Sequence, residues 1–354
     1  IQRLVGSEMC IRDRVKYGTP SSSVFKEVDV EKPTLLKDNE LLVKVHAFGL
    51  NYADVMARKG LYKAAPPLPC ILGYEVIGEI VAVKNIKNKK WIGKRVLAMT
   101  RFGGYAEYAK TVINGIVEIP KEISNGAALA LATQYCTAYF ALCHEIKLYP
   151  GETVLIHAAS GGVGTALTQL AKWKGCKVIG LTRSPKKVDY LTKNGVDLPI
   201  VTTETDYKSE VNNYPEYKKV SAAFNAVGGT TVKKDLSILD TNGKLVFYGI
   251  SDRSKRRKGM FFTLFQLFKI GKFHPVFLLM KSQGVIGLNL LSIADQKPEK
   301  LQYVLQELVK LAKQKYITPV ADFKFDWKNL PEAHDGFEKG KYTGKIYIQL
   351  DGFN

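Results

Sequence analysis

Cysteine is scarce in this chain, and no two cysteines form a C-x-x-C pair. The five are Cys10, Cys70, Cys136, Cys143 and Cys176, an odd number in 354 residues. That excludes a disulfide scaffold and fits a reducing compartment, with the thiols as small buried apolar groups. No stretch reaches the ~18 uninterrupted apolar residues of a membrane span, and no secretory signal pattern opens the chain. A cytoplasmic location is therefore expected. Internal repeats and low-complexity segments are also lacking. Acidic residues are outnumbered: 33 Asp and Glu stand against 52 Lys and Arg, a net charge of +19. Such a field attracts phosphates, nucleotides, acidic membranes or nucleic acid. The lysines are scattered, so a solvated basic surface accounts for much of it. No nucleic-acid-binding module is present, and nucleic acid is not an expected partner.

The length suits two domains, and 46% hydrophobic residues supply cores without disulfides. Residues 1–14, IQRLVGSEMCIRDR, show neither strand nor helix period and resemble translated sequencing-adapter sequence. They are read as a non-native leader. Either the first strand is then shortened, or this segment occupies its place. From Val15 to about Glu118 short strands and turns dominate, as in Leu41–Ala47, Val76–Val83 and Trp91–Ala98, which implies a compact β-rich domain. Ser124 is placed to cap an alanine-rich helix. Strands at 153–158, 177–181, 222–225 and 244–248 then alternate with helices at 164–174 and 185–194, the pattern of a doubly wound parallel sheet. A further apolar run, Gly284–Asn289, ends this half. An amphipathic helix (301–315) and a last strand (345–350) follow, read as a return to the first domain.

The strongest local signal is His157-Ala158-Ala159-Ser160-Gly161-Gly162-Val163-Gly164, between a strand and a helix. Glycines there let backbone N–H groups approach a pyrophosphate, and the helix dipole favours its charge. The spacing departs from plain G-x-G-x-x-G, so a structural glycine turn is the alternative. The second strand ends in Thr182-Arg183-Ser184-Pro185-Lys186-Lys187. It lacks the Asp or Glu that would bond a ribose 2′-hydroxyl. Thr182, Arg183, Ser184 and Lys187 instead offer donors and positive charge to a 2′-phosphate. NADPH is expected over NADH, with a solvated basic helix start as the plainer reading.

With these motifs the chain resembles the zinc-free quinone oxidoreductase (zeta-crystallin-like) branch of the medium-chain dehydrogenase/reductases. The resemblance runs from Val15 to Leu350 and is carried by Asn51–Tyr62, Gly73-Tyr74-Glu75, the Ala158–Gly164 loop and Asn225-Ala226-Val227-Gly228-Gly229. Asp54–Arg58, Pro66–Pro69 and Ile286–Leu290 make it most similar to the vesicle amine transport protein group. It implies an α/β subunit with a GroES-like β-rich catalytic domain and an inserted Rossmann domain. The expected organisation is 1–14 leader, 15–125 GroES-like substrate domain, 126–292 Rossmann NADPH-binding domain, and 293–354 return to the substrate domain. It also implies a nicotinamide near Asn51 and Thr137, further nucleotide contacts at Asn225, Ala226, Tyr248 and Gly249, and a homodimer paired near Val285–Asn289.

Zinc-dependent relatives carry a Cys where this chain has Asn51-Tyr52-Ala53-Asp54, and a ligand His where it has Tyr74. Their four closely spaced structural-zinc cysteines are lacking. His46 and Glu75 do not reach the three ligands that a catalytic zinc requires. The expectation is zinc-independent hydride transfer from NADPH to a quinone or an α,β-unsaturated carbonyl. The protein then has to align the partners and offer a donor to the developing oxyanion. Asn51 and Tyr52 are the first candidates, Tyr62 and Tyr74 the next. Asn51 matches a family position reaching the nicotinamide ribose, so positioning is its alternative role. Many relatives carry a Tyr at the end of the third Rossmann strand. Thr202 stands there in this chain, with Tyr207 as a nearby substitute.

One stretch remains, Arg253–Met280, in which a basic run leads into aromatic residues. It fits weak acidic-membrane contact, or an insertion covering the active-site mouth or a dimer partner. It motivates the rival reading, a peripheral membrane or interaction protein that retains NADPH binding with little turnover.

Overall fold

A computed structural model of the chain describes residues 8–18, 21–250, 275–350 and 352. The described chain divides into two compact units, Ile1–Cys136 with Leu291–Asn354, and Thr137–Leu290. The division falls at Cys136/Thr137 and Leu290/Leu291, against the expected 125/126 and 292/293. The alanine-rich helix, Asn125–Ala130, runs on without a break into the following turns. The sequence change at Ser124 marks the helix start, which lies ahead of the boundary. Ser124 does cap that helix, accepting from the N–H of Ala127 at 3.3 Å.

The first unit is built on antiparallel strands. Glu40–Leu50 is its central strand, buried at every position except Lys44 and His46. It pairs with Glu75–Val83, Tyr108–Val112 and Ile346–Gln349. Register shifts between Val45 and Ala47 mark a bulge, which re-aims the strand end toward Asn51. The apolar face packs Val43, Val45, Phe48, Leu50, Val76, Ile80 and Tyr105 into one core. Gly78 is required here, because a Cβ would meet the Val43 side chain at 2.9 Å and the Lys44 carbonyl more closely still.

Residues 8–14 are not outside the fold. Glu8–Arg14 forms a strand paired along its length with Phe25–Glu31 and at its end with Cys70–Ile71. Of the two alternatives for the first strand, this segment occupies the place. Backbone hydrogen bonding selects strand partners with little regard to side-chain period when an edge is open.

The second unit is a six-stranded parallel sheet. In space its strands run Leu198–Val201, Lys177–Thr182, Thr153–Ile156, Val220–Asn225, Leu239–Phe247 and Gly284–Gly287. In chain order this is 3-2-1-4-5-6, the doubly wound arrangement. Thr153–Ile156 is fully buried, as expected of a parallel strand covered on both faces. The order reverses between Thr153–Ile156 and Val220–Asn225, and ligands bind such sheets in the crevice beyond those strand ends.

Candidate cofactor and hydride-transfer sites

In the second unit the chain leaves strand Thr153–Ile156 through His157 and Ala158, the latter at φ +50. It turns back at Gly161, whose N–H donates to the Ala158 carbonyl at 2.8 Å. Helix Gly162–Trp173 starts there. A Cβ on Gly164 would lie 2.6 Å from Ala159 Cα and closer to the Ala158 carbonyl. Only glycine allows the helix to sit so tightly on its own entry loop. Ser160 is buried and Gly161, Gly162 and Val163 are partly exposed, at the end of a twelve-residue helix where the first N–H groups have no partner within the helix.

Strand Lys177–Thr182 ends beside this loop, with the Ala159 N–H donating to the Leu181 carbonyl at 3.0 Å. Thr182 is buried, and its Oγ1 accepts from the Ser184 N–H at 3.3 Å. Arg183 is exposed, and Ser184 and Lys187 are half-buried. Burial, and then the Arg183 charge, push the Lys187 ammonium below its ordinary pKa. Both side chains add positive potential at this strand end.

The fourth strand, Val220–Asn225, lies beside the first: the His157 N–H donates to the Phe224 carbonyl at 3.0 Å. Asn225 is fully buried and its amide is engaged within the protein. Nδ2 donates to Thr231 Oγ1 at 2.9 Å and to Asp235 Oδ2, and Oδ1 accepts from the N–H groups of Val227 and Gly228. The Asn225 side chain thus shapes the loop, and a nucleotide is left the loop backbone and Ala226. Gly249 approaches that loop closely, since a Cβ on it would lie 3.1 Å from the Ala226 carbonyl. The Tyr248 N–H donates to the Asn225 carbonyl at 3.1 Å. Thr137 is buried in the helical segment Cys136–Tyr139.

Asp235 was not singled out from the sequence, yet it is the hub of this end of the sheet. It accepts from His157 Nε2 at 2.9 Å, from the Tyr207 hydroxyl at 2.7 Å and from Asn225. Tyr207 is therefore not a stand-in near a 2′-phosphate, because its hydroxyl is turned inward to this carboxylate. Thr202 bonds back to the Thr182 carbonyl through its N–H and Oγ1.

In the first unit Asn51 precedes helix Tyr52–Arg58, in extended backbone geometry. Its N–H donates to Asp54 Oδ2 at 2.9 Å, half of a capping arrangement. Its side chain faces the other way. Nδ2 donates to Glu75 Oε1 at 2.8 Å, and Oδ1 accepts from Lys345 Nζ at 3.3 Å. Glu75 and Lys345 form an ion pair in which neither side chain is exposed. Burial is the main cause that pushes the Asp54 carboxyl up to about 7, with the Glu75 charge adding to it. Tyr52 is half-exposed, its ring edge-on to Phe337 at 6.0 Å. Tyr74 is buried among Tyr62 and Phe102, and its hydroxyl interacts with that of Tyr62 without reaching good hydrogen-bond geometry. Lys345 and Thr133 carried no sequence signal. Glu75 was weighed only as a metal ligand.

Burial disfavours the thiolate at Cys136, Cys143 and Cys176. Burial pushes Cys143 up to about 12 and Cys176 up to about 11. Among the described residues no three His, Cys, Asp or Glu side chains gather in a metal-binding group. His157 and His334 are buried, while His274 lies outside the described residues.

Residues 37–121 match the family described as alcohol dehydrogenase GroES-like domain, and residues 162–307 the family described as zinc-binding dehydrogenase. The synaptic vesicle membrane protein VAT-1 homolog of Homo sapiens is 31% identical over 313 residues, 87% of this chain and 78% of that protein. The quinone oxidoreductase of Homo sapiens is 28% identical over 337 residues, covering 95% and 96%. Among solved structures, Escherichia coli quinone oxidoreductase complexed with NADPH superposes with a TM-score of 0.81 at 28% identity, over 96% of this chain and 99% of that one. The human VAT-1 homolog-like protein superposes at 0.83 with 24% identity, over 99% and 100%, which speaks to the fold. The antiparallel GroES-like unit, the 3-2-1-4-5-6 sheet and these likenesses agree: the chain belongs to the medium-chain dehydrogenase/reductase superfamily, in the branch of the quinone oxidoreductases and VAT-1 homologues.

Proposed function

We propose that the protein is an NADPH-dependent, zinc-independent reductase of quinones or α,β-unsaturated carbonyls. One observation carries this reading: the glycine loop that opens helix Gly162–Trp173 is hydrogen-bonded to the end of strand Lys177–Thr182, which runs on into the basic residues Arg183 and Lys187. The cradle fits a phosphorylated dinucleotide, since Gly164 leaves room for a tight turn and Lys187 sits beside a second cation. The NADPH complex of the 28% identical Escherichia coli enzyme supports the same cofactor.

NADPH, when bound, supplies the hydride. Ser160, Gly161, Gly162, Val163 and Gly164 hold the pyrophosphate, Arg183, Ser184 and Lys187 the 2′-phosphate. In the second unit Ala226, Tyr248 and Gly249 border the nucleotide, with Thr137 toward its nicotinamide end; in the first unit Asn51 is the candidate for hydride transfer. Tyr52 is the first candidate donor to the acceptor oxygen, and Tyr74, whose buried hydroxyl lies against that of Tyr62, is the second. A zinc-independent reaction suits a site where Glu75 is engaged by Lys345, Asn51 and Thr133. A cytoplasmic homodimer is part of the proposal, paired through Gly284–Gly287 at the edge of the six-stranded sheet.

The test is oxidation of NADPH, followed by its near-ultraviolet absorbance, with a panel of small quinones. Binding of NADPH and NADH is measured alongside, in wild type and Lys187→Glu. Turnover, with NADPH affinity falling roughly tenfold or more in the variant and NADH affinity little changed, supports the reading. Equal affinities indifferent to the substitution refute the NADPH assignment. A second reading rests on helix Pro275–Met280, where Val276, Phe277, Leu279 and Met280 are exposed. The rest of the basic, aromatic stretch, 251–274, lies outside the described residues. No turnover, together with salt-sensitive binding to acidic vesicles, supports a peripheral membrane protein instead.

A further inference from the structure

Lys345 and Glu75 are 270 residues apart in the chain and meet in a fully buried ion pair. Their surroundings satisfy both charges. Lys345 Nζ donates to Glu75 Oε1, to the Leu50 carbonyl at 3.1 Å and to Asn51 Oδ1 at 3.3 Å, one acceptor for each ammonium proton. Glu75 Oε1 also accepts from Asn51 Nδ2, while Oε2 accepts from the N–H and the hydroxyl of Thr133. Thr133 lies in a π-helical turn, Leu131–Tyr135. Such turns break the ordinary helix ladder and recur at functional sites. The backbone also leaves room for the pair, since a Cβ on Gly49 would sit 2.5 Å from Lys345 Cε and closer to Glu75.

Removing two charges from water costs several kcal/mol per ion, and apolar residues of the same volume are often as stable. The pair therefore has to be explained by something other than stability. An asparagine amide has a donor end and an acceptor end of nearly equal size. A fixed cation on one side and a fixed carboxylate on the other admit only one orientation. The reverse would set NH2 against ammonium and oxygen against carboxylate. We infer that Lys345 and Glu75 are positioning residues that lock the Asn51 carboxamide, Oδ1 to the lysine and Nδ2 to the glutamate. The second Nδ2 hydrogen is then the donor that Asn51 offers to a nucleotide or substrate oxygen. This inference rests on the hydride-transfer reading of Asn51, and it makes that residue an oriented donor.

The experiment compares wild type, Asn51→Ala, the charge-balanced double variant Glu75→Gln/Lys345→Met, and the triple variant. Hydride transfer from NADPH to 1,4-benzoquinone is measured in a single turnover. The Asn51 side-chain amide is followed by NMR with asparagine-selective 15N labelling. The double variant removes both charges together, so no buried ion is left unpaired. Expected are a protected Nδ2 hydrogen in wild type, its loss in the double variant, and hydride transfer slowed roughly 10–100-fold. Adding Asn51→Ala to the double variant should slow it no further. Additive losses, or an Asn51 amide equally protected in the double variant, overturn the inference. If wild type fails to oxidise NADPH, the hydride-transfer reading falls, and the amide measurement alone decides whether the pair holds Asn51.

Discussion

His157 Nε2 lies 2.9 Å from Asp235 Oδ1, and both side chains are buried. Because Asp235 also accepts from Tyr207 and Asn225, one carboxylate joins the glycine loop to the loop after the fourth strand. Asp235→Ala removes an acceptor from His157, Tyr207 and Asn225, the last two keeping a bond to Thr231, and each loss costs about 1–3 kcal/mol where the donor is left unpaired. The expected result is destabilisation of about 1–3 kcal/mol in urea denaturation. Asp235→Asn, which keeps an acceptor oxygen, should cost less.

The two glycines of the cofactor turn should differ. Gly164→Ala puts a Cβ 2.6 Å from backbone at Ala159, which has no flexible atom to move, whereas Gly161→Ala meets only the Ala158 carbonyl at 3.3 Å. Gly164→Ala should lower both thermal stability and NADPH affinity, the latter by roughly tenfold or more because the loop shifts against the phosphates. Gly161→Ala should fold with a melting temperature near that of wild type. Calorimetry and fluorescence titration of NADPH check both.

Asp54 gives the first unit a pH dependence of definite sign. Burial raises its carboxyl from 3.8 to about 7 in the folded protein. A raised acid contributes stability that is fully present below the unfolded value and is lost as pH rises through the folded one. Wild type should therefore lose stability, relative to Asp54→Asn, between about pH 4 and pH 7, by a few kcal/mol. Parallel urea titrations of the two proteins across that range measure the difference. A constant difference would contradict the assignment.

Tyr74→Phe separates stability from chemistry. Deleting a buried hydroxyl whose one polar neighbour is the Tyr62 hydroxyl should change stability by about 1 kcal/mol or less. Deleting the donor to an acceptor oxygen should slow turnover roughly 100-fold. A variant as stable and equally active would leave the donor role with Tyr52.

Local signals in the sequence were legible wherever one residue's chemistry acts within its own element. Ser124 capping its helix, the glycines opening Gly162–Trp173 and the basic end of Lys177–Thr182 are of this kind. Partners distant in the chain were not. Tyr207 was expected near a phosphate and turned inward to Asp235. Asn225 was read as a nucleotide contact, and its amide instead closes its own loop. Residues 8–14 carry no strand period, yet they pair with Phe25–Glu31, because an open edge accepts any backbone.

The residues alone were enough for the kind of protein: two units, a parallel sheet whose first strand leads into a glycine turn, and basic residues after its second strand. These follow from backbone conformational preference and periodic burial, which are short-range. Which buried polar groups meet, as Lys345 meets Glu75 and His157 meets Asp235, came from the packed fold. Such pairs depend on strand register and helix packing across hundreds of residues, and no local pattern encodes them.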